Sequence, residues 1–217
     1  MMRPALKYKL PRAILRTIRD EAGAVAVEFA IVVSLLFFMF FVLLDFGQVA
    51  FSQVMAEKAA HIAARTAAVR PAVACTAMPI PPETHSRGVA DPAPIYGTSC
   101  SAGADICAAV TYSCVGAASN ATANEIWNRI STLLPAGMTV ADLTFSYTSD
   151  PNLGFLGGPF TPVVTVDVNL PAYNFISPLG ALAVAAGAAS DPIGQSFTRP
   201  TFSVSLPAED LALGNDG

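Results

Sequence analysis

The chain has 217 residues, 53% of them hydrophobic and 13% charged, with a formal net charge of −4 and a mean hydropathy of +0.51. That charged share is about half of what soluble globular domains carry, and the length suits one domain plus an anchor. A pI near 5.0 argues against nucleic acid as a partner, because phosphate contacts need concentrated Lys and Arg, absent beyond the extreme N-terminus.

The first segment is basic. Arg3, Lys7, Lys9, Arg12, Arg16 and Arg19 supply half of the 12 lysines and arginines, and an apolar block from Ala22 to Leu44 comes next with a lone charge at Glu28. About 20 apolar residues at 1.5 Å per residue cross a hydrocarbon core of about 30 Å. The block is longer than the apolar part of a secretory signal, and Asp45-Phe46-Gly47-Gln48 offers no small-x-small cleavage site. A membrane-spanning helix is therefore predicted over residues 24–44, with residues 1–23 as a cytoplasmic leader, since Lys and Arg are retained on the cytoplasmic side. The rest of the chain is expected outside the cytoplasm.

The helix is expected to continue to about residue 69. Residues 45–69 contain no proline, and Phe51, Met55, Ala59, Ile62, Thr66 and Val69 recur at three- and four-residue spacing on one face. Gln53, Glu57 and His61 fall on other faces, and Pro71 ends the pattern. Residues 71–99 hold Pro71, Pro79, Pro81, Pro82, Pro92 and Pro94 and read as an extended loop or linker.

An α+β domain is predicted over residues 100–217. Ile106–Tyr112 suggests a short strand. Ser119 or Asn120 is placed to cap a helix reaching Leu134, with Ile126, Trp127, Ile130, Leu133 and Leu134 on its apolar face. Val140–Tyr147 alternates as a strand, Val163–Leu170 is the clearest strand, and Phe202, Val204 and Leu206 mark another. The apolar run Ile176–Ala189 is too short for a second span and reads as a buried or surface-lying helix.

Cys75, Cys100, Cys107 and Cys114 all come after the span, on the oxidising side, and their even number suggests two disulfides with any of three pairings. A zinc site combining these thiols with His85 is the sharper alternative. It is disfavoured because the seven-residue steps between Cys100, Cys107 and Cys114 contain no C-x-x-C pair. The histidines are His61 and His85, and the chain has no nucleophile elbow, H-E-x-x-H, P-loop or dinucleotide fingerprint. No catalytic residue, metal, cofactor or small-molecule substrate is expected. The Asn120-Ala121-Thr122 sequon is a pattern common by chance.

Glu28 needs an explanation, because a carboxylate at mid-span costs about 2.5–3.5 kcal/mol, less near an interface. One reading lets it reach the cytoplasmic headgroups. The other starts from Gly23: a cut after it would leave Ala24 with a new ammonium and Glu28 as the fifth residue. A helix puts positions one and five on one face, where a carboxylate neutralises an α-amino group of its own chain or of a packed neighbour.

The stretch from Arg19 to Ala30, with Gly23-Ala24-Val25-Ala26-Val27-Glu28-Phe29-Ala30, leading into Leu43-Leu44-Asp45-Phe46-Gly47, resembles the TadE-like family of Tad (Flp) pilus assembly proteins. The resemblance covers roughly residues 16–70. It implies a pilin-like architecture, with a long N-terminal transmembrane helix leading into a disulfide-bearing extracytoplasmic domain with late antiparallel strands. It also implies a non-enzymatic pseudopilin, minor pilin or assembly component in a bacterial inner membrane. Its partners would be other pilus-assembly proteins, pilin subunits and, where processing occurs, a dedicated prepilin peptidase. Carried onto this chain, processing falls at Gly23–Ala24, with Glu28 and Phe29 as the pilin-type carboxylate and its aromatic neighbour. Ala24 stands where true pilins often have a large apolar residue, and Phe29 where the Flp-type motif often has Tyr. The rival reading is a membrane-tethered binding or adhesion module whose anchor is never cut.

Overall fold

A computed structural model describes residues 21–74, 82–176 and 196–209, together with positions 178, 181, 184, 187 and 211. The basic leader up to Asp20, Cys75 and most of the apolar run after Ile176 lie outside the described residues. The chain divides into two units, one of Met1–Gly47 with Asn174–Gln195, the other of Gln48–Tyr173 with Ser196–Gly217.

Helix α1 covers Glu21–Ala68. Its end is set by local chemistry: Val69 N–H bonds back to the Thr66 carbonyl at 3.3 Å, and Pro71 cannot continue the ladder. In the second unit, β1 (Thr111–Val115), β2 (Leu143–Thr148), β3 (Val163–Val168) and β6 (Phe202–Pro207) form an antiparallel sheet in the order β1-β2-β3-β6. The short strands β4 (Tyr173–Asn174) and β5 (Ser196–Phe197) pair separately. Helix α2 (Ala121–Ile130) lies between β1 and β2, capped by the Asn120 side chain, which accepts from Ala123 N–H at 2.9 Å.

Period-two alternation gives the sheet two unlike faces. The register aligns Tyr112, Tyr147, Val164 and Leu206 in one row and Cys114, Phe145, Val166 and Val204 in the next. These rows enter the core together with Ile126 and Ile130 of α2 and the alanines of α1. The opposite face carries Ser113, Ser146, Thr165 and Ser205, joined as hydroxyl pairs at 2.9 Å (Ser113–Ser146) and 2.8 Å (Thr165–Ser205).

The later turns of α1 pack mainly through alanines. The buried residues are Ala56, Ala59, Ala60, Ala63, Ala64 and Ala67, all fully inaccessible, whereas Phe51 is 63% exposed. Of the residues expected on one face, Ala59 and Thr66 are buried and Ile62 packs against the core, while Phe51 and Val69 stay exposed. Methyl side chains let the helix backbone come close to the aromatic and β-branched side chains on β2 and β3, so bulk is supplied by the sheet. Smaller corrections concern boundaries. The first strand is Thr111–Val115 and not Ile106–Tyr112, α2 stops at Ile130 and passes into a 3₁₀ turn at Ser131–Leu133, and residues Val140–Asp142 form a 3₁₀ turn before β2.

The chain leaving α1 is tied to the sheet at once. Val73 N–H donates to the Tyr147 hydroxyl at 2.9 Å, and Thr122 of α2 donates to the Pro71 carbonyl at 2.8 Å. Residues 82–99 are irregular, as their prolines require, yet they are packed into the domain. Isolated bridges join Thr84 to Pro159, Arg87 to Cys107 and Ser99 to Phe155, and His85 and Pro94 are buried.

This packing is testable on two sides of α1. Ala63→Leu, which forces extra methylenes between α1 and the sheet, should destabilise the protein by about 1–3 kcal/mol. Val54→Ala, on an exposed side of the same helix, should stay within about 0.5 kcal/mol. Denaturant unfolding in detergent micelles measures both. Burial pushes the Tyr147 hydroxyl up to about 12, against the smaller opposing effect of the Val73 N–H. The unfolded chain therefore releases that proton first, and stability should fall as pH rises from about 10 towards 12. Tyr147→Phe should remove that tyrosine's share of the alkaline loss while costing about 1–3 kcal/mol at neutral pH, because Val73 N–H loses its acceptor. Thermal unfolding of both proteins at pH 8 and pH 11 reads the difference.

Candidate assembly interface

The first unit presents the start of α1. Gly23 is half-buried, and Ala24, Glu28 and Phe29 are exposed, Phe29 by 69%. Ala24 and Glu28 are one helical turn apart on the same face, the arrangement that sets a carboxylate beside an α-amino group if the chain begins at Ala24. Val25, Val27, Ile31, Val32, Leu35, Leu36, Phe40 and Leu43 are each more than half exposed. The helix is long and apolar enough to cross a membrane, and its most apolar stretch has no buried residue. Val27, Ala30, Ile31, Ser34, Leu35 and Phe38 line a shallow groove. Ser34 leaves no unpaired hydroxyl there, since it donates to the Ala30 carbonyl at 2.7 Å.

At the far end of the apolar block, Asp45 is buried, 1% exposed, and accepts a hydrogen bond at 3.0 Å from the backbone N–H of Ile176. The adjacent Phe46 ring meets Phe175 edge to face at 6.3 Å between centroids. Sequence reasoning marked Asp45-Phe46-Gly47 only as the close of the span. A carboxylate directly after 16 uncharged residues is the signal that it has a specific partner, but nothing local says that the partner lies about 130 residues away.

Residues 23–65 match the model of the TadE-like protein family. That segment is TadE-like. The match starts at Gly23, runs through Glu28 and the Asp45-Phe46-Gly47 turn of the helix, and stops within the alanine-rich part of α1. No curated protein and no solved structure matches the chain. The whole sheet and the cysteine-bearing segment lie outside the TadE-like match.

In that part of the chain, Cys100 and Cys107 are joined in a disulfide, and Cys114 is disulfide-bonded as well. The pairing that spacing leaves open is thus decided for Cys100–Cys107, while Cys75 lies outside the described residues. His85 approaches this pair, the ring nitrogen and both sulfurs lying within 4.8 Å of one another. Sulfurs joined to each other are not thiolate ligands, so the arrangement packs as a clasp and holds no metal in this state.

His85 is 3% exposed, with Phe160 5.2 Å from its ring, and its Nε2 accepts from Thr161 N–H at 3.3 Å. Burial lowers its pKa, so the neutral ring is the folded form. Backbone bonds fix it on both sides: His85 N–H to the Gly158 carbonyl and Gly157 N–H to the His85 carbonyl, each 2.9 Å. Gly154, at φ +79°, approaches the ring so closely that a Cβ there would run into Nε2. His61 is exposed on α1 and is not brought near His85's cluster. Among the described residues, then, the two histidines and the carboxylates form no acid–base pair.

The clasp is testable at Gly154. Gly154→Ala adds both the steric contact and an unfavourable left-handed backbone, and should destabilise the domain by about 1–3 kcal/mol. Limited proteolysis should then cut within residues 82–99 faster than in the parent, whereas Gly137→Ala, strained at φ +90° but with open space around its Cβ, should leave that cleavage unchanged.

Proposed function

We propose that the chain is a non-enzymatic, membrane-anchored pseudopilin or minor pilin, or an assembly component, of a Tad-type pilus or secretion system. The observation that carries this reading is the coincidence of the TadE-like match with a helix whose residues 24–44 expose apolar side chains all round. A helix apolar on every side has no stable place in water and is completed by lipid or by other helices. Excess Lys and Arg before the span set the N-terminus in the cytoplasm, and the disulfide suits an outer domain on the oxidising side of a bacterial inner membrane.

In this mechanism a prepilin peptidase cuts between Gly23 and Ala24. The Ala24 ammonium and the Glu28 carboxylate then compensate each other, within one chain or between neighbouring subunits, and so lower the cost of two charges in lipid. Ala26, Ala30 and Ser34, four residues apart, let a second helix approach closely, where van der Waals packing does what the hydrophobic effect cannot do inside a bilayer. The outer domain contacts other assembly proteins or the growing filament.

Intact mass and N-terminal sequencing of the protein from membranes of its native host test the processing step. A start at Ala24 is expected, and Glu28→Gln should then lower incorporation into pili while cleavage continues. A chain that retains its basic leader would rule the processed mechanism out, leaving an uncleaved anchor that tethers a binding module.

A further inference from the structure

We infer that Phe46, Phe175, Ile176 and Val184 form a lip that rests in the outer headgroup region of the bilayer, so that a lipid surface, and not a second protein, is the partner of these four side chains. The inference rests on reading residues 24–44 as a membrane span. Those 21 residues rise about 30 Å, the thickness of the hydrocarbon core, which brings Asp45 to its outer boundary.

Two contacts hold the start of the insertion at that depth. Ile176 N–H donates to Asp45 at 3.0 Å, and Phe175 packs edge to face on Phe46 at 6.3 Å. The insertion then runs from Phe175 to Ser190 without one charged side chain, the next charge being Asp191. It groups with the apolar part of α1 in one compact unit. The sequence offered two readings of this run, buried or surface-lying. At the described positions its apolar side chains are not buried: Ile176 is 68% exposed and Val184 48%, beside Phe46 at 58%. Exposed apolar side chains, a run without charge, and a tether to the outer end of a span are the features of side chains that lie in the interface plane. Asp45 fits the same picture. A carboxylate at the edge of the hydrocarbon needs hydrogen-bond donors in place of water, and the insertion brings it one.

The test uses the full chain reconstituted in phospholipid vesicles, with Trp127→Phe removing the native tryptophan. Tryptophan is introduced singly at Val184, at Leu36 within the span, and at Val89, which is 86% exposed in the outer domain. Vesicles carry lipids brominated either near the headgroup end or near the tail end of the acyl chain, and acrylamide reports water access.

With Val184→Trp we expect a blue-shifted emission that loses most of its intensity to the shallow bromines and little to the deep ones. Leu36→Trp should be quenched by the deep bromines, and Val89→Trp by acrylamide alone. If Val184→Trp behaves like Val89→Trp while Leu36→Trp is lipid-quenched, the span stands and the lip is overturned. Protection of Val184→Trp from both lipid and acrylamide would mean that protein covers it, which also overturns a lipid partner. If Leu36→Trp escapes the lipid quenchers, the span fails and takes the lip with it.

Discussion

The structure of the sheet-bearing unit depends on the contact between the alanine face of α1 and the inner face of the sheet. Ala56, Ala59, Ala60, Ala63, Ala64 and Ala67 occupy successive turns, and every one of them is inaccessible to solvent. Because these side chains end at the β-carbon, the space between helix and sheet is filled from the other side by Phe145, Tyr147, Val164 and Val166. Each such large side chain removed from water contributes about 1.5–3 kcal/mol, and the alanines add rigidity at little cost in side-chain entropy. The same closeness brings the chain just past α1 within reach of Tyr147, so that one hydroxyl deep in the core accepts from Val73.

The irregular half of the domain is held by a different principle. Residues 82–99 lack the uninterrupted donors that a sheet needs, and they are retained by single bridges, by a buried neutral histidine and by a disulfide. Such a region has few large apolar side chains to bury, so covalent closure and paired backbone groups carry what a hydrophobic core would otherwise supply. The glycine at 154 belongs to this economy of space, since the His85 ring occupies the position of its missing side chain.

α1 meets two environments along its length. Its apolar part shows Val, Leu, Ile and Phe outward with no buried residue in its most apolar stretch, while its later turns are covered through the smallest apolar side chain available. A helix of this kind is incomplete by itself in the first part and complete in the second. The TadE-like match begins at Gly23 and stays within this helix.

The long apolar helix, its basic flank, the α+β class of the outer domain and the strands around Val164 and Val204 are all legible in the amino-acid sequence, because hydropathy and period-two alternation are local properties of the chain. Spacing alone also singles out Gly23, Ala24 and Glu28. How much of the face from Phe51 to Val69 packs is a tertiary matter, since Ala59 and Thr66 on it are buried while Phe51 is exposed. The Cys100–Cys107 pairing, the burial of His85 beside it and the bond from Ile176 to Asp45 are likewise invisible before the chain is folded. They join residues through space across loops whose conformation no local pattern specifies, and a backbone donor such as Ile176 N–H carries no mark in the sequence at all.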